Sequence, residues 1–375
     1  MTHTTVEKSA LKKTPFYKFH VEAGARMVGF AGFDMPIQYS GMTAEHLAVR
    51  NNVGLFDLSH MGEFKVSGSD ALAFLQKVTC NDCSALAVGQ IQYSAMLYES
   101  GCFVDDLLVY HMEDSWFLVV NASNMEKDFA WLESQRFGDV TLENQSDDYC
   151  LLAIQGPNAQ KVMAKVTDYD LDTVKYYHHA LMTINGAPTL VSRTGYTGED
   201  GFEIYLKPEQ AVEAWELVTK AGKEHDMTLI GLGARDSLRM EMKMALYGND
   251  IDDEHTALEA GLSWIVKFDK GDFNGKDALL KQKGAGVTRR LVCVVFSERC
   301  VPRHGYPLVD ESGAEIGVVT SGMHSPSLGK PIALGYVAKG HTKSESYVGV
   351  KVRDKVIPGE VVKPPFITPK SNKPR

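Results

Sequence analysis

The sequence is poor in cysteine, and the few cysteines present do not build a site. Six are scattered over 375 residues, which is too few for a disulfide framework in a chain of this length. Cys80 and Cys83 form a C-x-x-C pair, but no second pair and no H-x-x-x-H completes a zinc site. We expect reduced structural thiols and assign no metal ligands, and a metal or redox role for Cys80 and Cys83 is the alternative.

Long apolar runs and an excess of positive charge are also missing. No run is long enough to span a bilayer, and residues 1–13 lack the apolar core of a secretion signal. No arginine precedes Arg26, which argues against an intact mitochondrial presequence. The formal charge of -9 argues against general nucleic-acid binding. We therefore expect neither a membrane nor a nucleic acid as partner.

Two glycine-rich stretches lack the spacing of phosphate-binding loops. Gly231-Leu-Gly-Ala-Arg-Asp236 has an aspartate where a dinucleotide fingerprint has its third glycine, and a poor strand precedes it. Gly271-Asp-Phe-Asn-Gly275-Lys-Asp277 lacks both the spacing and the Ser or Thr of a phosphate loop. Neither stretch indicates a nucleotide site.

A stretch rich in glycines and carboxylates lies near the middle of the chain. Residues 193–204 read Arg-Thr-Gly-Tyr-Thr-Gly-Glu-Asp-Gly-Phe-Glu-Ile and run into a strand-like pattern over residues 202–206. Glycines at this density allow a sharp turn or a close approach to a ligand. Glu203, which follows the turn within an apolar strand, is a candidate for binding a polar ligand. The alternative is a solvated carboxylate beside a tight loop.

Three apolar runs with short polar connections predict an antiparallel meander over residues 91–98, 103–110 and 116–120. The middle run contains Asp105 and Asp106, whose side chains must face opposite sides of a strand. At least one carboxylate should therefore lie against apolar surface, where burial would raise its pKa. This pattern points to a functional carboxylate, and a solvent-facing sheet surface is the alternative.

The hydrophobic pattern of the other segments predicts helices before residue 286 and strands after it. Residues 24–41 predict a glycine-rich loop, and Ser69 predicts the N-cap of a helix over residues 70–78. Beyond residue 286 short strands alternate with turns, which is typical of a small antiparallel barrel or sandwich. Further helices are predicted over residues 16–22, 42–51, 124–135, 158–166, 209–225 and 234–245.

Arg235 falls in the first turn of the helix predicted over residues 234–245. The helix macrodipole makes a cation mildly unfavourable there. An anionic ligand would explain this position, and a surface arginine paired with a nearby acid is the alternative.

Several motifs occur in one order along the chain and are together more specific than any of them alone. They are Leu55-Phe-Asp-Leu-Ser-His-Met61, Phe103-Val-Asp-Asp-Leu107, Ile154-Gln-Gly-Pro157, Thr194-Gly-Tyr-Thr-Gly-Glu-Asp-Gly201, Gly233-Ala-Arg-Asp-Ser-Leu-Arg239, Leu246-Tyr-Gly-Asn-Asp-Ile251 and Glu259-Ala-Gly-Leu-Ser-Trp264. In this order they resemble the aminomethyltransferase family, the T-proteins of the glycine cleavage system. Residues 320–328 and 334–337 extend the resemblance, which covers residues 14–368.

The resemblance implies an α+β fold in three parts around a folate pocket, with antiparallel sheets and a C-terminal β-barrel. Residues 14–285 would form the folate-binding region from two interleaved α+β subdomains, one of them around residues 52–145. Residues 286–368 would form the barrel, and residues 369–375 a basic tail. Some relatives carry tail tyrosines that touch the ligand, and residues 368–375 contain none.

The resemblance also implies an enzyme, a tetrahydrofolate-dependent aminomethyltransferase of glycine catabolism. The aminomethyl group on the lipoyl arm of H-protein would be split, with release of ammonia. Its one-carbon unit would pass to tetrahydrofolate and give 5,10-methylenetetrahydrofolate. Lipoylated H-protein would be the direct partner, with functional coupling to P-protein and L-protein. We expect a bacterial cytoplasmic protein, and a matured protein of the mitochondrial matrix is the alternative.

Site residues carry over from the resemblance one at a time. Asp106 matches the catalytic acid near folate N10, where a carboxylate can orient the amine, move its proton and stabilise a developing iminium cation. Tyr93 and Asn121 match residues beside it. Glu203 matches the carboxylate that pairs with the N–H donors of the pterin ring, which a carboxylate can bind through two hydrogen bonds. The predicted cofactor-binding set is Met61, Tyr93, Asp106, Asn121, Tyr196, Glu203 and Arg235.

Other functions share this fold and stay open as alternatives. The folate-binding half of a dimethylglycine or sarcosine oxidase would be fused to a flavin domain, and no flavin fingerprint is present. A folate-dependent tRNA-modifying module would carry a GTPase loop, which is missing. A folate-binding accessory protein of iron–sulfur cluster assembly typically has a cysteine in the segment equivalent to residues 194–199, and this chain has none there.

Overall fold

The computed structural model describes residues 11–371, and its first large sheet has six strands. Its order is β10-β11-β12-β9-β3-β13, and every pairing is antiparallel except that of β13 with β3. The central strand β12 is buried along its whole length, so both of its faces are covered. The strands are β3 (Gly54–Asp57), β9 (Cys150–Gln155), β10 (His179–Ile184), β11 (Ala187–Ser192), β12 (Gly201–Leu206) and β13 (Thr228–Leu229).

The second sheet has five antiparallel strands in the order β5-β6-β7-β4-β8. The predicted meander over residues 91–120 forms three consecutive neighbours in it. The short polar connections explain this topology, because they are long enough to join only adjacent antiparallel strands. The strands are β4 (Gly62–Ser67), β5 (Ile91–Leu97), β6 (Phe103–His111), β7 (Trp116–Val120) and β8 (Thr141–Asn144).

An aromatic and aliphatic core joins the two sheets face to face. Tyr110 and Phe117 from the five-stranded sheet pack with Tyr205 and Leu151 from the six-stranded sheet. The Tyr110 and Phe117 ring centroids are 5.8 Å apart at 88°, the edge-to-face geometry that aromatic pairs prefer. Burial of these rings holds the sheets together on one side of the molecule.

Eight α-helices cover the outer faces of the sheets and connect the strands within the described residues. Trp215 on α6 packs into the apolar core on the far side of β12, with Phe202 and Ile204. No helix in residues 11–371 combines the length and the hydropathy that a membrane crossing requires. The helices are α1 (Tyr17–Glu22), α2 (Met42–Asn51), α3 (Ala71–Val78), α4 (Met125–Ser134), α5 (Ala159–Met163), α6 (Ala211–Gly222), α7 (Leu232–Glu241) and α8 (Lys276–Ala285).

Two local predictions were wrong. The region predicted as a loop over residues 24–41 contains an antiparallel hairpin of β1 (Arg26–Phe30) and β2 (Phe33–Gln38). Ala31 and Gly32 both have positive φ, 48° and 82°, which suits the two central residues of a tight hairpin turn. Ser69 does not cap α3, because its hydroxyl donates to Asp139 Oδ2 at 2.8 Å instead.

The C-terminal part forms a seven-stranded antiparallel sheet in the order β19-β18-β15-β16-β17-β14-β20. Hydrogen bonds from Val348 N to Gly359 O (3.0 Å) and from Val361 N to Ser346 O (2.9 Å) bring its ends together. The predicted α+β fold with a terminal barrel is therefore confirmed. The strands are β14 (Arg289–Phe296), β15 (Pro307–Val309), β16 (Glu315–Ser325), β17 (Lys330–Ala338), β18 (Gly349–Val352), β19 (Lys355–Ile357) and β20 (Gly359–Val362).

A buried ion pair fastens α7 to the barrel. Arg239 is 1% exposed and donates to Asp250 Oδ2 at 2.5 Å and to Ser321 Oγ on β16 at 3.0 Å. Thr320 on the same strand donates to the other oxygen of Asp250 at 2.5 Å. The arginine therefore anchors the helix that carries Arg235 against a fixed surface.

Removing one partner of this pair should destabilise the protein strongly. We expect Arg239→Met to lower the free energy of unfolding by about 3–5 kcal/mol, because Asp250 would stay buried without its cation. Lys355→Met is the control, since its pair with Glu298 is exposed and should change stability by less than about 1 kcal/mol. Urea unfolding of the two variants measures the difference, and equal losses would contradict the role given to Arg239.

Candidate functional site

A cavity of about 790 Å³ opens where the two sheets separate. Its volume falls in the range of about 300–1,000 Å³ found for small-molecule and cofactor sites. Every residue of the predicted cofactor-binding set lines it, although these residues are spread over more than 170 positions of sequence. They are Met61, Tyr93, Asp106, Asn121, Tyr196, Glu203 and Arg235.

Strand periodicity explains why these side chains reach one cavity. Alternate residues of a strand face the same side of a sheet. Asp106 lies four positions before the core residue Tyr110, and Glu203 lies two positions before Tyr205. Asp106 and Glu203 therefore lie on the same inner sheet faces as Tyr110 and Tyr205. At their positions the space between the sheets is the cavity, whereas apolar side chains fill it around the two tyrosines.

Asp106 is held by two donors from the neighbouring strands. The Tyr93 hydroxyl donates to Asp106 Oδ2 at 2.8 Å, and Asn121 Nδ2 donates to Oδ1 at 2.8 Å. Burial, followed by the negative charge of Asp105, raises the pKa of Asp106 to about 7. A carboxyl group with this pKa can both accept and release a proton near neutral pH.

Asp105 points to the opposite face of β6, as the strand period requires. It is fully buried and accepts from Asn121 N (3.2 Å), Asn121 Nδ2 (2.9 Å) and Asn124 Nδ2 (2.8 Å). Both members of the aspartate pair are thus withdrawn from bulk water, and the side-chain amide of Asn121 joins them.

Glu203 ends a chain of buried hydroxyl groups. Thr194 donates its hydroxyl hydrogen to Glu203 Oε2, so Ser192 must donate to Thr194 across 2.6 Å. Tyr110 donates to Ser192 at 3.2 Å, and Tyr205 must then donate to Tyr110 at 2.8 Å. Every hydroxyl in the chain points toward the carboxylate, and such aligned donors strengthen one another.

The remaining acceptor capacity of Glu203 is available to a ligand. Among residues 11–371, Thr194 is the one side chain that donates to this carboxylate. Burial raises the pKa of Glu203, and the Thr194 hydrogen bond and the charge of Arg235 offset this rise only in part. The carboxyl group of Glu203 can therefore accept further hydrogen bonds from a ligand in the cavity.

Arg235 stands over the ring of Tyr196, with its guanidinium carbon 4.7 Å from the ring centroid, a cation–π geometry. Its Nε is buried and has no acceptor within the described part of the chain. Burial lowers the pKa of Arg235. A buried donor without a partner is costly, so an acceptor brought by a ligand would complete this position.

Several other residues that line the cavity lie outside the predicted cofactor-binding set. Trp264 is 60% exposed and stacks on Tyr93 with ring centroids 6.0 Å apart. Tyr177 also lines the cavity and adopts a positive φ of 61°, which no sequence pattern signals for a tyrosine.

The end of the chain returns to the same region. Pro364 and Pro365 line the cavity. The amide groups of Lys370 and Ser371 donate to Gly198 O at 2.7 and 2.9 Å, so this part of the tail packs on the glycine-rich loop. Residues 372–375 of the predicted basic tail lie outside the described residues.

Cys80 and Cys83 lie in apolar cores and are both buried. Burial raises the pKa of both thiols, that of Cys80 to about 11, which disfavours the reactive thiolate. Across residues 11–371, no three His, Cys, Asp or Glu side chains come together in a way that could hold a metal ion.

The fold and the cavity define a class of protein. It is an α+β enzyme that encloses a cofactor-sized ligand between two sheets. One buried carboxylate is placed to accept hydrogen bonds from the ligand, and a second carboxyl group can exchange a proton near neutral pH.

Comparisons with known proteins narrow this class to one family. Residues 16–270 match the family described as GCVT N-terminal domain, and residues 289–367 match that described as Glycine cleavage T-protein C-terminal barrel domain. The aminomethyltransferase of Halothermothrix orenii is 49% identical over 95% of this chain and 100% of its own length. That of Chloroherpeton thalassium is 50% identical over 95% and 99%.

A solved structure agrees with these sequence matches. The glycine cleavage system aminomethyltransferase T from Bartonella henselae superposes with a TM-score of 0.90 at 36% identity, over 97% of this chain and 100% of that one. The chain therefore belongs to the aminomethyltransferase family, the T-proteins of the glycine cleavage system. The predicted activity is confirmed with it: the enzyme is an aminomethyltransferase with tetrahydrofolate as co-substrate, and the iron–sulfur alternative is not favoured.

Proposed function

We propose that tetrahydrofolate binds in the central cavity with its pterin edge on Glu203 and its N10 beside Asp106. The observation that carries this placement is that the two carboxyl groups, Glu203 and Asp106, have different hydrogen-bond donors around them. Within the described residues, Glu203 accepts one hydroxyl hydrogen, at the end of a chain of donors, so its remaining acceptor capacity suits the N–H donors of a pterin. Asp106 is held by a tyrosine and an asparagine at a pKa of about 7, which suits proton exchange.

Arg235 and Tyr196 complete the fit of the cavity to a folate. The buried Nε of Arg235 needs an acceptor, and a folate offers carbonyl and carboxylate oxygens. Tyr196 is fixed by donation of its hydroxyl to Ala245 O, so its ring presents a stable face to a flat ligand. Met61 adds an adaptable apolar contact in the same cavity.

In this placement Asp106 acts on the amine at which the one-carbon unit is bound. Its ionised form orients that amine and stabilises the positive charge that develops as the bond to the departing ammonia breaks. Asp106 then takes the proton that N10 loses as N10 bonds to the one-carbon unit, and this proton leaves on the lipoyl sulfur when the C–S bond breaks. Tyr93 and Asn121 hold the carboxylate oxygens in position for both steps.

The glycine cleavage system to which the T-proteins belong includes an H-protein, and we assign the finer partners by this membership. The lipoyl arm of H-protein would deliver the aminomethyl group and leave as dihydrolipoyl. P-protein would act on the arm before this step and L-protein after it. The bacterial cytoplasm is the proposed compartment, since the relatives described above are bacterial. Residues 14–285 and 286–368 are the proposed domains.

Release of ammonia from aminomethyl-loaded H-protein tests this function. We expect tetrahydrofolate to accelerate the release at least about tenfold and to yield one methylenetetrahydrofolate for each ammonia. H-protein without the lipoyl group is the control and should release none. Release that does not respond to tetrahydrofolate would contradict the proposal.

A further inference from the structure

Two carboxyl groups that the proposed chemistry does not use lie behind Asp106. Asp105 is on the opposite face of β6, and Asp128 is on α4, which packs against that face. Both residues are 0% exposed. Two adjacent ionised carboxylates would repel each other strongly at such a place, so the pair must hold a proton.

Hydrogen-bond donors show which carboxyl group holds it. Asp105 accepts three N–H groups, two from Asn121 and one from Asn124. In the described part of the chain, no donor of a charged or neutral side chain contacts either oxygen of Asp128. The two carboxyl groups also hydrogen-bond to each other, a contact that favours the ionised form of Asp105 and the protonated form of Asp128. The shared proton therefore sits on Asp128, and Asp105 accepts the hydrogen bond. Burial, followed by the negative charge of Asp105, correspondingly raises the pKa of Asp128 to about 11.

The nearest cation does not replace this proton. Lys127 Nζ is 4.0 Å from Asp128 Oδ1, beyond hydrogen-bonding distance. It donates instead to Val104 O at 2.6 Å and lies 4.1 Å from the centroid of the Tyr247 ring. Asp105 and Asp128 thus carry one proton and one negative charge between them.

Asn121 connects this pair to the cavity. Its Nδ2 donates to Asp105 Oδ1 at 2.9 Å and to Asp106 Oδ1 at 2.8 Å. One side-chain amide therefore fixes the distance between the buried charge and the carboxyl group that faces the ligand.

We propose that Asp105 and Asp128 are a positioning pair for Asp106: they share one proton, and the charge left on Asp105 keeps Asp106 able to accept a proton at neutral pH. This inference rests on the proposed role of Asp106 and explains how that role is maintained. Neither residue of the pair touches the cavity. They act on the reaction through Asp106 and Asn121.

The other titratable groups around Asp106 do not supply this charge. The phenols that face it are Tyr93, Tyr177 and Tyr196, and burial raises the pKa of all three, so they stay neutral. Lys127 is a cation that lowers the pKa of both Asp105 and Asp128, so it supplies no negative charge. The negative charge sensed by Asp106 therefore comes from Asp105.

Asparagine has nearly the same shape as aspartate but cannot ionise, so asparagine substitutions test the charge of the Asp105–Asp128 pair without changing its size. In Asp128→Asn, the amide can replace the O–H donor, and the charge stays on Asp105. In Asp105→Asn, the partner Asp128 can ionise, so the charge moves one group further from Asp106. The double variant has no charge. Removing a nearby negative charge lowers the pKa of a carboxyl group, so the base form of Asp106 should persist to lower pH.

The pH profile of kcat/KM for ammonia release should shift more, the more negative charge a variant removes from the neighbourhood of Asp106. We expect Asp128→Asn to match the unsubstituted enzyme and Asp105→Asn to shift the acidic limb down by about half a pH unit. The double variant should shift it by about one pH unit or more, with a several-fold lower plateau because a weaker base is less effective. Equal shifts in Asp128→Asn and Asp105→Asn, or an unmoved limb in the double variant, would overturn the proposal.

Infrared difference spectroscopy tests the shared proton without turnover. At about pH 9, above the pKa of about 7 of Asp106, the Asp128→Asn variant should lack one protonated-carboxyl band that Asp106→Asn retains. Burial also raises the pKa of Glu63 well above its usual range, so any band from Glu63 stays in both variants. Persistence of that band in Asp128→Asn would overturn the proposal. If Asp106→Asn keeps full turnover while Asp128→Asn lacks the band, the proposed function of Asp106 fails and the proton-sharing pair stands.

Discussion

Replacing Asp106 with asparagine should lower kcat by about 10²- to 10⁴-fold, the contribution typical of a positioned acid–base group. An amide keeps the size of the side chain and one acceptor oxygen, but it can neither exchange a proton at neutral pH nor stabilise a positive charge. The affinity for tetrahydrofolate should change by less than about threefold, because the pterin contacts proposed for Glu203 are unaffected. Single-turnover ammonia release and equilibrium folate binding measure the two effects.

Asp105→Asn is the matched comparison for this prediction. It changes the neighbouring carboxylate, which lies on the opposite face of the same strand and does not line the cavity. We expect a loss of kcat at least about tenfold smaller than that of Asp106→Asn, because the acid–base group itself is retained. The reverse order would mean that Asp105 is the acid–base residue of the pair.

The pH dependence follows from the raised pKa of Asp106. Its ionised form predominates above a pKa of about 7 and is lost as the pH falls through that value. Activity that depends on the carboxylate should therefore rise through neutral pH. The same shift costs stability in the ionised state, since burial favours the protonated carboxyl in the folded protein. Above about pH 7 the buried, ionised Asp106 therefore lowers the stability of the folded enzyme, and the same burial gives Asp106 a pKa suited to proton exchange.

The sequence predicted the site better than it predicted the local structure around it. The strand pattern marked Glu203 and the pair Asp105–Asp106 as candidates, because each interrupts an apolar strand. The family resemblance then selected Asp106 from the pair and assigned a role to Glu203, and both roles stay predictions. The cap predicted at Ser69 and the loop predicted over residues 24–41 were wrong for two different reasons. Asp139, 70 positions away, takes the Ser69 hydroxyl, and the Ala31-Gly32 turn converts a glycine-rich stretch into paired strands.

The remaining features of the site depend on contacts between distant parts of the chain. The hydroxyl chain from Tyr205 to Glu203 passes through Tyr110, a residue of the other sheet. Asp128 looks like an ordinary charged residue in the first turn of a helix, and its burial results from the packing of α4 on β6. Such partnerships cannot be found from periodicity, since each requires the three-dimensional arrangement of two elements.

Replacing Glu203 with glutamine should weaken tetrahydrofolate binding about 10- to 100-fold. Hydrogen bonds to a charged acceptor contribute about 1.5–3 kcal/mol, and each 1.4 kcal/mol is a factor of ten in the dissociation constant. The glutamine NH2 would also face the N–H donors of the pterin, so one contact becomes repulsive. At saturating tetrahydrofolate kcat should fall by less than about fivefold, because Glu203 does not contact the reacting amine in the proposed placement.

Thr194 supplies a graded control for this prediction. Thr194→Val removes the last hydroxyl of the chain while keeping its shape, and should weaken folate binding only about three- to tenfold, the effect of one hydrogen bond. Thr194→Ser retains the hydroxyl and should bind folate almost normally. A ranking in which Glu203→Gln affects kcat but not the dissociation constant would place Glu203 in the chemical step. The order expected here instead assigns ligand binding to Glu203 and proton exchange to Asp106, with each carboxyl group suited to its task by the donors and charges that the fold brings to it.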